Sequence, residues 1–310
     1  MRPEHHILIV GFGDIGARVA RQLVGRFRVT ALVRSAAAAE RARSIGVVPV
    51  IGDLGRPESL QKLAGRYACI FHFAPPPATG ERDTHTRHLL AALSRNATRA
   101  GMLTQPPAGR LVYISTTGVY GDCGGAWIDE TRPVRPSTDR AGRRVDAENV
   151  IRRWGRRVRV PVSILRAPGI YAGDRLPVDR LRKGTPALLP EDDVFTNHIH
   201  AEDLARAALA AMRRGKPARI LNVVDQSALA MGAYFDLVAD AFDLPRPPRI
   251  ARADAQSCIS PALLSFMSES RRIRNDRLKQ DLRLRLRYPT VDSFLATLPA
   301  ASARGGTRPR

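Results

Sequence analysis

The sequence predicts a doubly wound α/β fold, in which a parallel sheet is covered by helices on both faces and a smaller C-terminal lobe follows. Three observations predict it. Short apolar runs alternate with segments of helical spacing through the first 166 residues. A G-x-G-x-x-G turn joins the first run to the first helical segment. The alternation then breaks in a stretch cut by Pro168, Pro177, Pro186 and Pro190. Strands that are apolar without alternation belong to sheets buried on both faces, and in α/β proteins such sheets are parallel.

Residues 5–10 form the first apolar run, and Ile15, Val19, Ala20, Leu23 and Val24 then fall at helical spacing over 14–24. A second strand is predicted at 28–33, an alanine-rich helix at 36–45 and a third strand at 47–51. A helix near 57–64 precedes a fourth strand at 67–73, a long helix at 82–100 precedes a fifth at 110–115, and a helix near 139–155 precedes a sixth at 162–166. Beyond the prolines, short strands at 198–200 and 220–224 flank a helix at 201–213 and are expected to return to the main sheet. Helices near 228–242, 259–268 and 290–298 complete the lobe, and the leucine–arginine alternation of 282–288 predicts a half-exposed strand. The expected organisation is therefore a sheet domain of 1–166 plus about 198–225, a substrate lobe of about 167–197 plus 226–298, and a disordered tail over 299–310.

Composition narrows the function. The chain has 310 residues and a formal charge of +21, yet only four lysines stand among its 50 basic residues, so 46 arginines are spread over nearly every segment. Dispersed arginine without interleaved aromatic residues argues against sequence-specific nucleic-acid binding. No stretch approaches the roughly 18 apolar residues of a membrane span, and a cytoplasmic location is expected. The three cysteines, Cys69, Cys123 and Cys258, form no C-x-x-C or Cys/His cluster, so neither a disulfide framework nor a metal is expected. His198 and His200 are read as facing opposite sides of a short strand, again without a shared metal. The expected partner is a small-molecule substrate, and a homodimer is left open.

Gly11, Phe12, Gly13, Asp14, Ile15 and Gly16 supply the G-x-G-x-x-G turn in the strand–turn–helix context it requires. The first glycine permits the tight turn, the second lets backbone approach a pyrophosphate, and the third allows close helix–strand packing, while the helix end offers free N–H groups and a favourable dipole. A dinucleotide cofactor is implied. Roughly 20 positions on, where such folds read the adenosine ribose, stand Arg34 and Ser35. A guanidinium and a hydroxyl favour a 2′-phosphate, whereas a carboxylate would repel it. This predicts NADP, with NAD the less favoured cofactor.

Further blocks resemble one family, the extended and atypical short-chain dehydrogenase/reductases, also called the NAD-dependent epimerase/dehydratase family, whose fold is of the Rossmann type. Gly52-Asp53-Leu54 resembles the block whose acid contacts adenine, and His72-Phe73-Ala74-Pro75 resembles the H-x-A segment that lines the cofactor. The run from Ser115 to Gly121 resembles S-S/T-x-x-V-Y-G, with Thr116 at the catalytic hydroxyl position and Tyr120 as a candidate replacement acid. Arg166-Ala167-Pro168-Gly169-Ile170-Tyr171 resembles R-P-x-x-Y-G, and the run from His198 to Leu204 resembles I-H-V-x-D-L. The resemblance covers about residues 5–298. It implies that Ser115 and Pro168 join the cofactor site and that Arg166, Tyr171 and Asn197 meet the substrate.

The sequence departs from the family at one point. The family's Tyr-x-x-x-Lys carries Pro four residues before it and Glu four residues after it, flanks matched by Pro136 and Glu148, which places Arg140 and Arg144 at the Tyr and Lys positions. In the family, a cation lowers the pKa of the Tyr so that it exchanges a proton with substrate during hydride transfer. A guanidinium effectively never gives up its proton. Arg140 is thus expected to bind an oxyanion, carboxylate or phosphate, and Arg144 to hold the cofactor ribose. The resulting expectation is an NADP-binding oxidoreductase or epimerase/dehydratase-like enzyme on a polar small molecule, with a non-catalytic NADP-binding sensor or scaffold as the alternative.

Overall fold

The computed structural model describes residues 5–63, 65–99, 106–259, 264–265 and 267–299. Seven parallel strands form the central sheet: β1 (His6–Val10), β2 (Arg28–Val33), β3 (Val48–Ile51), β4 (Cys69–His72), β5 (Leu111–Thr116), β6 (Val162–Ala167) and β7 (Arg219–Asn222). Their spatial order is β7-β6-β5-β4-β1-β2-β3. The order reverses between β1 and β4, and in doubly wound sheets ligands bind at the carboxyl ends of strands beside such a switch point.

The strands form where the sequence is continuously apolar because both faces are covered. Ile7, Ile9, Phe71 and Val112 face one core, shared with helices α1 (Asp14–Leu23), α2 (Ala36–Arg43) and the later helix Ala201–Arg214. Leu8, Val10, Ile70 and Tyr113 face the other, shared with α3 (Thr84–Arg99) and α4 (Asp139–Val158). Trp154 Nε1 donates to Ser94 Oγ at 2.9 Å and ties α4 to α3. A third core, containing Leu181, Val194, Phe235, Val238, Met267 and Phe294, lies beneath the lobe.

The later half departs from the expected elements. Residues 219–222 do return to the main sheet, beside β6. His198–His200 does not: it pairs with Gly169–Tyr171 in a separate two-stranded sheet. Residues 282–288 are not a strand. Leu282 ends the helix Asp276–Leu282, and although Leu282 and Leu284 are buried while Arg283 and Arg285 are exposed, the N–H groups of Arg287 and Tyr288 donate to the Asp203 carboxylate, each at 2.8 Å. The alternation is real, and a buried side chain takes the hydrogen bonds of a neighbouring strand. The segment near 57–64 is a 3₁₀ helix, Pro57–Leu63. The helix expected at 259–268 is preceded by one at Arg252–Cys258, and its residues 260–263 and 266 lie outside the described residues, as does the tail beyond 299. Among the described residues no helix is long and apolar enough to cross a membrane.

Candidate active site

The three motif glycines are held in three different ways. Gly11 turns the chain at φ +95°, and a Cβ there would lie 2.4 Å from the Ala74 backbone nitrogen, so only glycine lets the H-x-A segment close on β1. Phe73 and Ala74 donate from their backbones to Val10 O at 2.7 and 3.0 Å to make that closure. At Gly16 a Cβ would lie 2.6 Å from Gly11 O, which sets the helix tight against the turn. Gly13 is the opposite case: nothing lies within 4 Å of where its Cβ would be, and no side chain caps α1 there. Open space over uncapped N–H groups at the start of a ten-residue helix fits a pyrophosphate. Asp14 is drawn away into ion pairs with Arg18 (2.8 Å) and Arg175 (3.3 Å). Phe12 and Ile15 pack into the core behind the turn.

A groove of about 980 Å³ runs along the carboxyl ends of the strands, from Arg34 past Pro75, Thr116, Arg140, Arg144 and Pro168 to Tyr171 and Asn197. Arg34 is exposed at the end of β2. The neighbouring Ser35 hydroxyl accepts from Ala38 N at 3.2 Å as the N-cap of α2, a bond that uses its oxygen and not its O–H donor. Asp53 Oδ1 accepts from Gly55 N at 2.8 Å, holding the turn, while Leu54 is buried in the core.

Thr116 ends β5, and its Oγ1 accepts from Gly118 N at 3.2 Å. Thr138 caps α4 by accepting from Ala141 N at 3.2 Å, which presents Arg140 in the first turn and Arg144 one turn later. Arg144 Nη1 donates to Tyr113 Oη and Ile114 O, both at 2.9 Å, and is so tethered to β5. Burial pushes the Tyr113 phenol up to about 12, although Arg144 opposes the shift. The structure therefore brings Thr116, Arg140 and Arg144 together on one groove wall.

Other expected residues point elsewhere. Arg166 does not line the groove: it donates to Glu148 through Nε (3.0 Å) and Nη2 (2.7 Å), behind the strand ends. Ser115 Oγ donates to the same carboxylate at 2.6 Å. Tyr120 lies under the Arg166 guanidinium, 4.7 Å from ring centroid to Cζ, and its hydroxyl donates to Asn222 Oδ1 at 2.7 Å, away from the groove. Asn197 lines the groove, but its amide is committed, with Nδ2 donating to Arg271 O (3.0 Å) and Oδ1 accepting from Ile273 N (3.1 Å). His198 and His200 share a face, as the two-residue repeat of a strand requires, and both rings pack near Tyr171, at 6.3 and 5.2 Å. Among the described residues no group of three or more His, Cys, Asp or Glu could hold a metal.

Sequence reasoning missed Arg143, whose guanidinium donates to Gly80 O (2.6 Å) and Ala78 O (3.0 Å) and fixes the loop roofing the groove. It also missed the lobe wall of Phe195, Met231, Tyr234, Phe235 and Arg271. No motif marks these residues. A smaller hollow of about 340 Å³, lined by Trp127, Asp225 and Lys279, shares Asn197 with the groove.

Comparison with known proteins agrees with this architecture. A human dTDP-D-glucose 4,6-dehydratase is 25% identical over 122 residues, a match spanning 37% of this chain and only 35% of that protein. A Stigmatella aurantiaca 4-hydroxy-2-methyl-3-oxo-4-farnesyl-3,4-dihydroquinoline-1-oxide ketoreductase is 24% identical over 239 residues, 74% of this chain and 71% of that protein. The solved structure of a conserved protein of unknown function from Silicibacter pomeroyi superposes with a TM-score of 0.77 at 28% identity, covering 97% of this chain and 100% of that one. With a profile match over residues 7–223 and the strand order and glycine turn described above, the chain belongs to the NAD dependent epimerase/dehydratase family.

Proposed function

We propose that the protein binds NADP(H) and acts as an oxidoreductase, or an epimerase/dehydratase-like enzyme, on a polar small molecule. The observation that carries this reading is the single groove joining Arg34, at the ribose reader position, to Thr116, Arg140 and Arg144. The cofactor, when bound, supplies or accepts a hydride. The uncapped start of α1 binds the pyrophosphate, Arg34 pairs with the 2′-phosphate, and Arg144, already fixed to β5, reaches the ribose with its remaining N–H groups. Arg140 holds the negative oxygen of the substrate and moves no proton, because a guanidinium stays charged at every working pH. The Stigmatella relative, named a ketoreductase, supports the oxidoreductase choice.

Titration of both cofactors tests the reading. Wild type should favour NADP, and Arg34→Asp should weaken NADP by about 1.5 to 3 kcal/mol, tenfold or more, while leaving NAD nearly unchanged. Equal affinity of the wild type for the two cofactors would remove it. Arg144→Ala should weaken NADP by about 1 to 3 kcal/mol, the range for a charged hydrogen bond. An unchanged dissociation constant would take Arg144 out of the cofactor site.

One observation favours the second reading, a non-catalytic NADP sensor or scaffold: no phenol or ammonium stands at positions 140 and 144, and Tyr120 turns away. The two readings divide on turnover. Wild type should consume NADPH with few generic carbonyl compounds, and Arg140→Tyr with Arg144→Lys should gain activity by placing a titratable phenol beside a cation.

A further inference from the structure

The loop that joins β4 to α3 passes over the groove, which Pro75, Pro76, Pro77 and Ala78 line. Its two ends are fixed independently of each other. At the first, the Phe73 and Ala74 N–H groups close on Val10 O, and the three prolines follow as a stiff run that has no N–H to donate. At the second, the Asp83 carboxylate, 1% exposed, accepts from Thr86 N at 2.9 Å and from the Thr86 hydroxyl at 2.7 Å. Thr86 Oγ1 lies 2.8 Å from His72 Nε2 on β4, and the Asp83 N–H donates to Asp146 Oδ2 on α4 at 2.9 Å.

Between these ends the loop is exposed from Ala78 to Arg82. Among the described residues, one side chain ties down its middle: Arg143 donates to Gly80 O at 2.6 Å and to Ala78 O at 3.0 Å. Arg143 is 5% exposed and lines the groove beneath the loop, on the same helix as Arg140 and Arg144. Hydrogen bonds from a charged donor are the stronger kind, and two from one planar fork fix direction as well as distance. The helix that forms the groove wall therefore also holds the roof, through Arg143 in the middle and Asp146 at the end. A roof latched in this way has to let go before a ligand as long as a dinucleotide can pass, so a looser latch speeds entry and release together.

Resting on the reading of the groove as the cofactor site, we propose that Arg143 is the latch of this roof, a positioning residue that sets how fast a nicotinamide dinucleotide enters and leaves. Stopped-flow fluorescence of NADPH binding, and of its displacement by excess NADP, reads both rates on the full chain. Arg143→Met keeps the buried stem and removes the donors. Both rates should rise about tenfold, while the dissociation constant changes by less than about threefold. Arg143→Lys, which keeps a charged donor, should raise both rates by a smaller factor, and it carries the test if the methionine variant does not fold. Glu-C protease reads the roof without cofactor, because Glu81 is exposed within it. Cleavage after Glu81 should be about tenfold faster in Arg143→Met, while cleavage after Glu130, 8% exposed, stays unchanged, since the loop opens locally and the fold does not. Unchanged rates, or unchanged cleavage after Glu81, would overturn the latch. So would release that rises while entry does not, the pattern of a residue that touches the cofactor without gating it. A wild type that binds neither dinucleotide would overturn the cofactor reading and this proposal with it, whereas a wild type that binds NADPH with rates indifferent to Arg143 would overturn the latch alone.

Discussion

Replacing Glu148 with alanine should lower the stability of the folded protein by about 3 to 5 kcal/mol, the range for breaking one side of a buried ion pair. Both side chains of the Glu148–Arg166 pair are only 4% exposed, and the carboxylate takes two Arg166 N–H donors and the Ser115 hydroxyl. Without it, a guanidinium that cannot neutralise itself stays buried over the Tyr120 ring with no counter-charge. Arg166→Met should cost a similar amount, because it strands the carboxylate. The double variant Glu148→Leu with Arg166→Met should recover most of the loss, since burial of two charges is itself costly. Urea unfolding of the four proteins measures this. A loss below about 1 kcal/mol in both single variants would show that water reaches the pair.

The same pair shows why the sheet was legible in the sequence and the site only partly so. Strands β1, β4 and β5 are buried on both faces, so their residues must be apolar whatever the protein does, and the pattern is plain in the letters HILIV and CIFH. The glycine turn is legible for a similar reason, because the contact of Gly11 with Ala74 admits no side chain. A motif, however, names residues and not directions. Arg166 and Tyr120 fall in segments that line a substrate space, yet their side chains turn inward to Glu148 and Asn222. Asn197 reaches the groove with its amide already spent. The lobe defeats periodicity altogether: its strands run two or three residues, too short for an alternation to register, and the one segment that does alternate, 282–288, is bonded to the Asp203 carboxylate in place of a strand. The aromatic wall of Phe195, Tyr234 and Phe235 comes from two separated segments, which the pairing of Phe195 with Ala230 brings together.

Asp225→Asn should stabilise the protein at pH 8 by up to about 4 kcal/mol and change it little at pH 4. Asp225 is 4% exposed, its Oδ1 accepts from Ser227 N at 2.8 Å, and its Oδ2 has no hydrogen-bond partner. Burial pushes the carboxyl up to about 7, against the pull of the Ser227 hydrogen bonds and of the nearby Tyr171 hydroxyl, which itself donates to Thr290 O at 3.4 Å. The sign follows from which state releases its proton first. An unfolded aspartate ionises near pH 4 and the folded one near 7, so through that window the unfolded chain binds fewer protons, stability falls as pH rises, and the loss is complete above about 7. Of the groups facing Asp225, burial holds Tyr171 and Tyr234 well above the ordinary phenol range and His198 stays neutral, while the Asp203 carboxylate adds to the upward push. Buried histidines elsewhere tilt the other way. His72 and His198 titrate at about 3 and His200 at about 4 when folded, against about 6.5 when unfolded, so they make the protein more stable as pH rises to about 6.5. The wild-type profile alone therefore mixes two opposite slopes, and the difference between wild type and Asp225→Asn isolates the carboxyl. Urea unfolding of both proteins at pH 5 and pH 8 should show that difference widening with pH; a difference that stays constant would mean that Asp225 is ionised throughout and that water solvates its Oδ2.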